Sequence, residues 1–433
     1  MSDAPPPPIS PIPPDAVRVV FFGGLGEIGR NCAGIEVDGR ILLIDCGLMF
    51  PAVDMPGVDL VLPDFTYLRE HASRLEGVIL THGHEDHAGG LAFLLAEVGP
   101  VPIYGSALSL GLARNRIEEA GMLSRTELIP LEDGERRSIG PFDCQFIPVT
   151  HSVPHGFATA VFTASGTILH SGDFKLDQAP VDGRVTDLAL LGEIARRGVR
   201  LLLSDSTNAE EPGHTPSEST IGVVMRELFR QHAGRRIIAA CFASHIHRVQ
   251  QIVETAVESG RKVAFLGRSM LQNVALARSM GLLRLPESQM VDVDEIDRLE
   301  PGAVCIVCTG SQGEPMSALS LMAAHENHRV KLAPSDTVII SASPIPGNET
   351  NVSRVIGGLY RAGAEVVHSG LAPVHVSGHA CQEELKFLLN LVQPEYFVPV
   401  HGEYRHLVHH ARLAQSMGMA PEKVFICEDG DSV

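Results

Sequence analysis

Short apolar runs recur along the chain, each bounded by turn residues, and they predict strands. Runs at 17–22, 33–37 and 41–45 are separated by Gly23-Gly24-Leu25-Gly26 and by Asp38-Gly39-Arg40. A further apolar strand is expected at 77–81 and a helix at 90–98. A dense β stretch at 142–170 is broken by Ala164-Ser165-Gly166-Thr167, and 201–204 reads as a buried strand. From about residue 217 longer units appear: a helix at 217–231 with Ser217, Glu218, Ser219 and Thr220 as capping candidates, a strand at 236–241, a helix at 245–259 and a strand at 262–266. Such alternation predicts a parallel, doubly wound sheet. Near the end, a strand at 396–400 leads through His401 into a helix at 405–417, the same strand, ligand, helix order as in the first part. The proline-rich residues 1–16 read as an extended or disordered leader without secretory features.

The 433 residues are 44% hydrophobic and 20% charged, the composition of a globular protein of two or three domains. No apolar run reaches the ~18 residues a membrane span needs, so no membrane association and a cytoplasmic location are expected. Of the 8 cysteines, only Cys305 and Cys308 have C-x-x-C spacing. They fall in an apolar strand, where residues three apart face opposite sides, so they are read as core. The net charge of −18 opposes binding of a polyanion unless metal dications and local cations reverse it. Arg248, Lys262, Arg268 and Arg405 are the candidates for those cations.

Candidate chemistry concentrates in Thr81-His82-Gly83-His84-Glu85-Asp86-His87, between the strand at 77–81 and the helix at 90–98. His82, His84, Asp86 and His87 could not converge from a regular element. On a tight turn they can, and Gly83 would permit the backbone. Imidazole with carboxylate suits zinc or manganese.

H-x-H-x-D-H after a strand resembles the signature of the metallo-β-lactamase superfamily. The resemblance implies further ligands after later strands. His82, His84 and His151 would hold one metal, Asp86, His87 and His401 a second, and Asp173 would bridge them. Asp45 matches the superfamily's aspartate that orients the histidine turn. His155 competes with His151 but lies beyond the strand end, and His170 falls inside a strand and reads as packed beside the site. A long segment between Asp173 and His401 resembles the insertion of the β-CASP nucleases. Asp205 matches their acidic motif, and His379 and His401 match their two histidine motifs, the second being the form found in RNA-acting members. The resemblance is closer still to the bacterial ribonuclease J family, through Gly23 to Asn31, Pro63 to Tyr67, Phe242 to Arg248, Cys308 to Pro315 and His401 to Arg405.

The implied fold is α/β: a metallo-β-lactamase αββα sandwich in two parts, 17–217 and 385–433, carrying an inserted doubly wound α/β β-CASP domain at 218–384. The family's small C-terminal domain, about a hundred residues, is expected to be absent. The implied function is a two-metal ribonuclease holding two Zn2+ per chain, with Mn2+ as the alternative. It would act on single-stranded RNA as a 5′-to-3′ exonuclease preferring 5′-monophosphate ends, with some internal cleavage, in RNA maturation and mRNA decay. His379 would protonate the leaving oxygen, oriented by Asp205, with Asp86 as a further catalytic carboxylate. Ser244, His247 and Arg248, at a strand-to-helix turn, and Ser377, Gly378 and His379 itself would bind phosphate. A homodimer or homotetramer, in a complex that degrades RNA, is implied as well. The rival classes are a DNA nuclease, a thioester or lactam hydrolase on the same metals, and a non-catalytic RNA-binding scaffold.

Three features keep a structural reading beside the functional one. Gly23 to Gly29 is read as a turn near the metal cleft rather than a dinucleotide loop. Ser311-Gln312-Gly313 is either a plain turn or a phosphate nest. Asn115, between Arg114 and Arg116, is read as part of a solvated helix face.

Overall fold

The computed structural model describes residues 16–51, 55 and 57–433. Ala16 apart, the predicted leader lies outside them. Two six-stranded sheets pack face to face. The first runs Val17–Gly23, Cys32–Val37, Arg40–Ile44, Leu75–Ile79, Ile103–Gly105, Leu128–Pro130. The second runs Tyr396–Val400, Val199–Asp205, Gly166–His170, Gly156–Thr163, Phe142–Val149, Arg136–Ile139. Their inner faces share one core that includes Phe21, Ile35, Ile44, Phe146, Phe157, Leu203 and Val398. Helices cover both outer faces. Leu91, Leu94, Leu95 and Ile117 pack on the first sheet, and Leu191, Ile194, Leu385, Leu389 and Leu413 on the second. This is the expected αββα sandwich.

The third sheet has five parallel strands in the order Lys262–Leu266, Val304–Cys308, Arg236–Ala240, Asp336–Ile340, Glu365–Val367. Both faces are buried under helices, as a doubly wound sheet requires. Cys305 joins the core on one face and Cys308 the core on the other. All eight cysteines are free and buried. Among the described residues no helix is long and apolar enough to cross a membrane.

The predicted elements shift where a side chain takes over a backbone partner. The strand expected at 77–81 is Leu75–Ile79, because Thr81 N donates to the Asp45 carboxylate instead of a neighbouring strand. The helix expected from 217 begins at Thr220. Its expected first residues form a turn in which Glu218 N donates to Asp177 Oδ2 at 2.9 Å.

Parallel pairing fixes where the chemistry falls. Val199–Asp205 pairs with Gly166–His170 on one side and with Tyr396–Val400 on the other, Asp205 opposite Val400. In the other sheet Arg40–Ile44 is parallel to Leu75–Ile79. Residues following the C-terminal ends of these five strands include Asp45, His82, Asp173 and His401, and Asp205 closes its own strand. The crossing into and out of the third-sheet domain is held by Glu384, whose buried carboxylate accepts from Leu176 N, Thr215 N and Cys381 N at 2.7, 2.7 and 2.9 Å. Leu203 is fully buried between the two sheets. Leu203→Ala is expected to lower the stability of the sandwich by ~2–5 kcal/mol, read as a fall in the urea midpoint at matched metal content.

Candidate metal centre

The turn after Leu75–Ile79 is shaped by one buried carboxylate. Asp45 sits in the left-handed region with φ 61°. Its Oδ1 accepts from Thr81 N at 2.8 Å, while Oδ2 accepts from Thr81 Oγ1 at 2.8 Å and lies 2.7 Å from His87 Nδ1. Gly83 does not serve the backbone purpose expected of it, and what a side chain there would meet is a neighbouring helix. Its φ is ordinary, but a Cβ there would lie 2.5 Å from Leu112 Cδ1 on the helix Ala107–Glu119.

Two groups of donors converge around Asp173. His82, His84, His151 and Asp173 form the first, and Asp86, His87, Asp173 and His401 the second, with donor atoms in each group within 4.8 Å of one another. His84 Nδ1 lies 3.0 Å from His82 Nε2 and 3.2 Å from His151 Nε2. Asp173 Oδ2 is 3.1 Å from His87 Nε2, 3.3 Å from His401 Nε2, 3.6 Å from His82 Nε2 and 3.8 Å from His151 Nε2. Ligands on a tetrahedral zinc at ~2.0–2.1 Å stand about 3.3 Å apart, so these spacings match edges of a coordination shell. Neither Asp173 Oδ2 nor His401 Nε2, both buried, has a well-directed hydrogen bond. Buried polar atoms are seldom left so, and a cation between them satisfies both. The donor set fits a metal.

The opposite ring nitrogens are held. His151 Nδ1 donates to Gly378 O at 2.8 Å, which leaves Nε2 free to coordinate. Thr207 Oγ1 lies 3.0 Å from His401 Nδ1, and Ser152 Oγ 3.3 Å from His84 Nε2. Burial drives the pKa of His82 and of His151 well below the usual value, and that of His84 to about 4. Burial thus favours the neutral form of all three rings, the form that can coordinate a metal. Burial also acts on His87 and His401, but the carboxylates of Asp173 and its neighbours overcome it and raise both well above the usual value.

Three family models cover nearly the whole chain. The metallo-beta-lactamase superfamily matches 25–217, the beta-CASP domain of ribonuclease J matches 234–359, and the Zn-dependent metallo-hydrolase RNA specificity domain matches 364–427. The ribonuclease J of Mycolicibacterium smegmatis is 44% identical over 430 residues, covering 99% of this chain and 76% of the relative. The chain belongs to the ribonuclease J family. The Thermus thermophilus member is 44% identical over 424 residues, covering 96% of this chain and 74% of the relative. A crystal structure of a protein of unknown function from Enterococcus faecalis superposes with a TM-score of 0.67 at 15% identity, covering 96% of this chain and 99% of that one, and shares the fold.

Beside the two donor groups of this ribonuclease J family member stands a third, Asp173, Asp205 and His379. His379 Nδ1 lies 2.8 Å from Asp205 Oδ2 and 4.0 Å from Asp173 Oδ2. Burial opposes its charge, but Asp205 prevails and raises the pKa of His379. Ser377 Oγ accepts from His379 N at 3.1 Å and from Asn208 Nδ2 at 2.8 Å, so that hydroxyl shapes the turn carrying Gly378 and His379. The Gly23 to Gly29 stretch lies against the ligand loop, Leu25–Gly26 pairing with Gly402–Glu403. Gln312 is taken up in fixing the neighbouring loop, through Ser343 O and Ile345 N at 2.9 and 2.7 Å. His155 faces Arg184, Asp182 and His247, away from both donor groups. His170 Nδ1 accepts from Gly172 N at 3.0 Å and so packs beside the site.

One expected phosphate contact is corrected. Arg248 is fully buried, its guanidinium forked onto Glu218 at 2.6 and 2.8 Å and bonded to Ser341 and Val374 O. No surface of it reaches a ligand. His247 is buried with Nε2 3.2 Å from Asp182, and Ser244 is half-buried. Of the other expected cations, Lys262 bonds Ser288 O, Arg405 pairs with Glu403 and Glu210, and Arg268 is exposed. Arg116 pairs with Glu85, on the histidine turn itself. Sequence reasoning missed Asn31, whose Nδ2 lies 3.1 Å from His87 Nε2, and Thr207, which joins Asp205 Oδ1 to His401. Asn31 closes a stretch quoted for the resemblance and Thr207 lies two residues after Asp205, but their roles depend on residues far along the chain.

A metal must displace the protons that His87 and His401 carry in the metal-free protein. Affinity is therefore expected to rise with pH until their raised pKa values are passed, and to fall as pH drops below them. Calorimetric titration with zinc at pH 7, in buffers of different ionisation enthalpy, should report protons released per metal. Zero release would mean both rings are neutral before binding.

Proposed function

We infer that the chain is a metal-dependent ribonuclease that holds two zinc ions, with manganese the alternative. His82, His84 and His151 hold one, Asp86, His87 and His401 the other, and Asp173 is shared. The observation that carries the reading is the single Asp173 oxygen, buried and without a well-directed hydrogen bond, on which both histidine groups converge. When bound, such a pair supplies Lewis acidity at the phosphate and lowers the pKa of the attacking water. It also offsets part of the −18 charge where a polyanion must sit.

The remaining work falls to the chain. Asp205 accepts the Nδ1 proton of His379, which keeps the ring charged and turned so that Nε2–H can protonate the departing 3′ oxygen. Asn208 and Thr215 grip the His379 carbonyl at 3.0 and 2.6 Å and fix the backbone that presents it. Ser244 and His247, at the start of the helix Ile246–Glu258, together with Ser377 and Gly378, offer polar groups for a 5′ phosphate. A pocket sized for one phosphate favours a monophosphate end over a triphosphate, and 5′-to-3′ release of single nucleotides from single-stranded RNA follows. Internal cleavage, in RNA maturation and mRNA decay, is the second mode. The reading extends to a cytoplasmic homodimer or homotetramer acting in a complex that degrades RNA, and sedimentation of the purified chain tests the assembly.

Elemental analysis of the purified protein is expected to give close to two metals per chain, and His84→Ala to abolish RNA cleavage while the fold persists. Full activity in that variant would overturn the ligand set. On one RNA carrying a monophosphate, triphosphate or hydroxyl at its 5′ end, the monophosphate form is expected to be degraded fastest, with mononucleotides released from the 5′ end. Equal rates on all three would remove the 5′ pocket from the reading.

A further inference from the structure

Arg248 and Glu218 are both buried, and together they close a circuit of hydrogen bonds that begins and ends at His151. Thr150, next to that residue, accepts at Oγ1 from Asp177 N at 3.2 Å. Asp177 Oδ2 accepts from Glu218 N at 2.9 Å. The Glu218 carboxylate takes two bonds from Arg248, and Arg248 Nη1 reaches Ser341 O at 2.8 Å, Ser341 Oγ at 2.9 Å and Val374 O at 3.2 Å. Ser341 Oγ donates to the same Val374 carbonyl at 2.7 Å. Four residues further on, Gly378 O accepts the Nδ1 proton of His151, and His379 follows.

The pair is a poor candidate for a purely stabilising role. Removing both charges from water is costly, and replacing a buried pair by well-packed apolar side chains is often neutral or better for stability. What such a network supplies is a single geometry. This one links segments from the sandwich, the outgoing crossover and the third-sheet domain. Its output is the position of the stretch from Val374 to His379. Among the described residues no other side chain hydrogen-bonds both Glu218 and Val374.

We propose that Arg248 and Glu218 are positioning residues for catalysis, which hold the segment Val374 to His379 at the height where His379 meets the leaving oxygen. The proposal rests on the reading of His379 as proton donor. Displacing a reacting group by about 1 Å can cost ~10²-fold in rate. Arg248→Lys keeps the charge but loses the fork that spans Glu218 and Val374.

The test compares purified, metal-loaded full chains on single-stranded RNA and on bis(p-nitrophenyl) phosphate, whose leaving group departs without a proton. Arg248→Lys is expected to lower kcat on RNA by roughly ten- to a hundredfold with KM and metal content little changed, and to lose far less on the activated diester. Ser341→Ala, a milder change, should show the same pattern more weakly, and it serves if the lysine variant does not fold. His379→Ala is the control: it must itself discriminate between the two substrates. If it does and Arg248→Lys and Ser341→Ala do not, the positioning role is wrong while the reading of His379 stands. If His379→Ala loses equally on both substrates, that reading falls and the proposal with it.

Discussion

One carboxylate oxygen, buried among four imidazole rings, organises this protein. Asp173 Oδ2 lies within 4 Å of His82, His87, His151 and His401, and it has no well-directed hydrogen bond of its own. An ionised oxygen held like this is costly unless positive charge reaches it. The surrounding structure is arranged to bring that charge from several directions. Parallel strands in both sheets end at the same level, so each delivers a ligand-bearing turn to the same point. Around that oxygen, Asp45, Thr207 and the Gly378 carbonyl hold the opposite ring nitrogens, which fixes both the tautomer and the tilt of those rings.

Much of this is legible in the sequence, because the ligands follow apolar strands whose limits are set by local pattern. The pairing of His379 with Asp205 is expected from the resemblance, and the two groups stand 2.8 Å apart. Arg248 shows where local pattern runs out. A strand-to-helix turn rich in Ser, His and Arg reads as an anion site. Yet which way an arginine near a helix start points depends on what packs against that helix. Here Glu218 comes from the outgoing crossover and captures it inside the protein. Gly83 teaches the same point on a smaller scale. A Cβ there would press on Leu112 of a neighbouring helix, while the residue's own backbone angles make no demand for glycine.

The two crossovers between the sandwich and the third-sheet domain are tied by buried carboxylates and not by apolar contact alone. Glu384 collects three backbone N–H groups from both crossover segments, and Asp177 collects Glu218 N and Ala179 N. Directional bonds of this sort set one orientation, whereas apolar packing tolerates sliding. A site assembled from both domains benefits from that choice, since His151 and the Val374 to His379 segment meet across the seam.

The partnership of Val199–Asp205 with Tyr396–Val400 also constrains how the molecule is made. Residues 206–395 separate these neighbours, so the ribosome completes one strand long before its partner exists. At ~5–20 residues per second the gap lasts on the order of 10–40 s. During it the second sheet has an open edge along Val199–Asp205, His379 emerges only near its end, and His401 has not been translated. The third-sheet domain, contiguous in sequence, can fold in the interval. The donor cluster closes only when Tyr396–Val400 is added, so the nascent chain cannot bring its two histidine groups together until His401 has been translated.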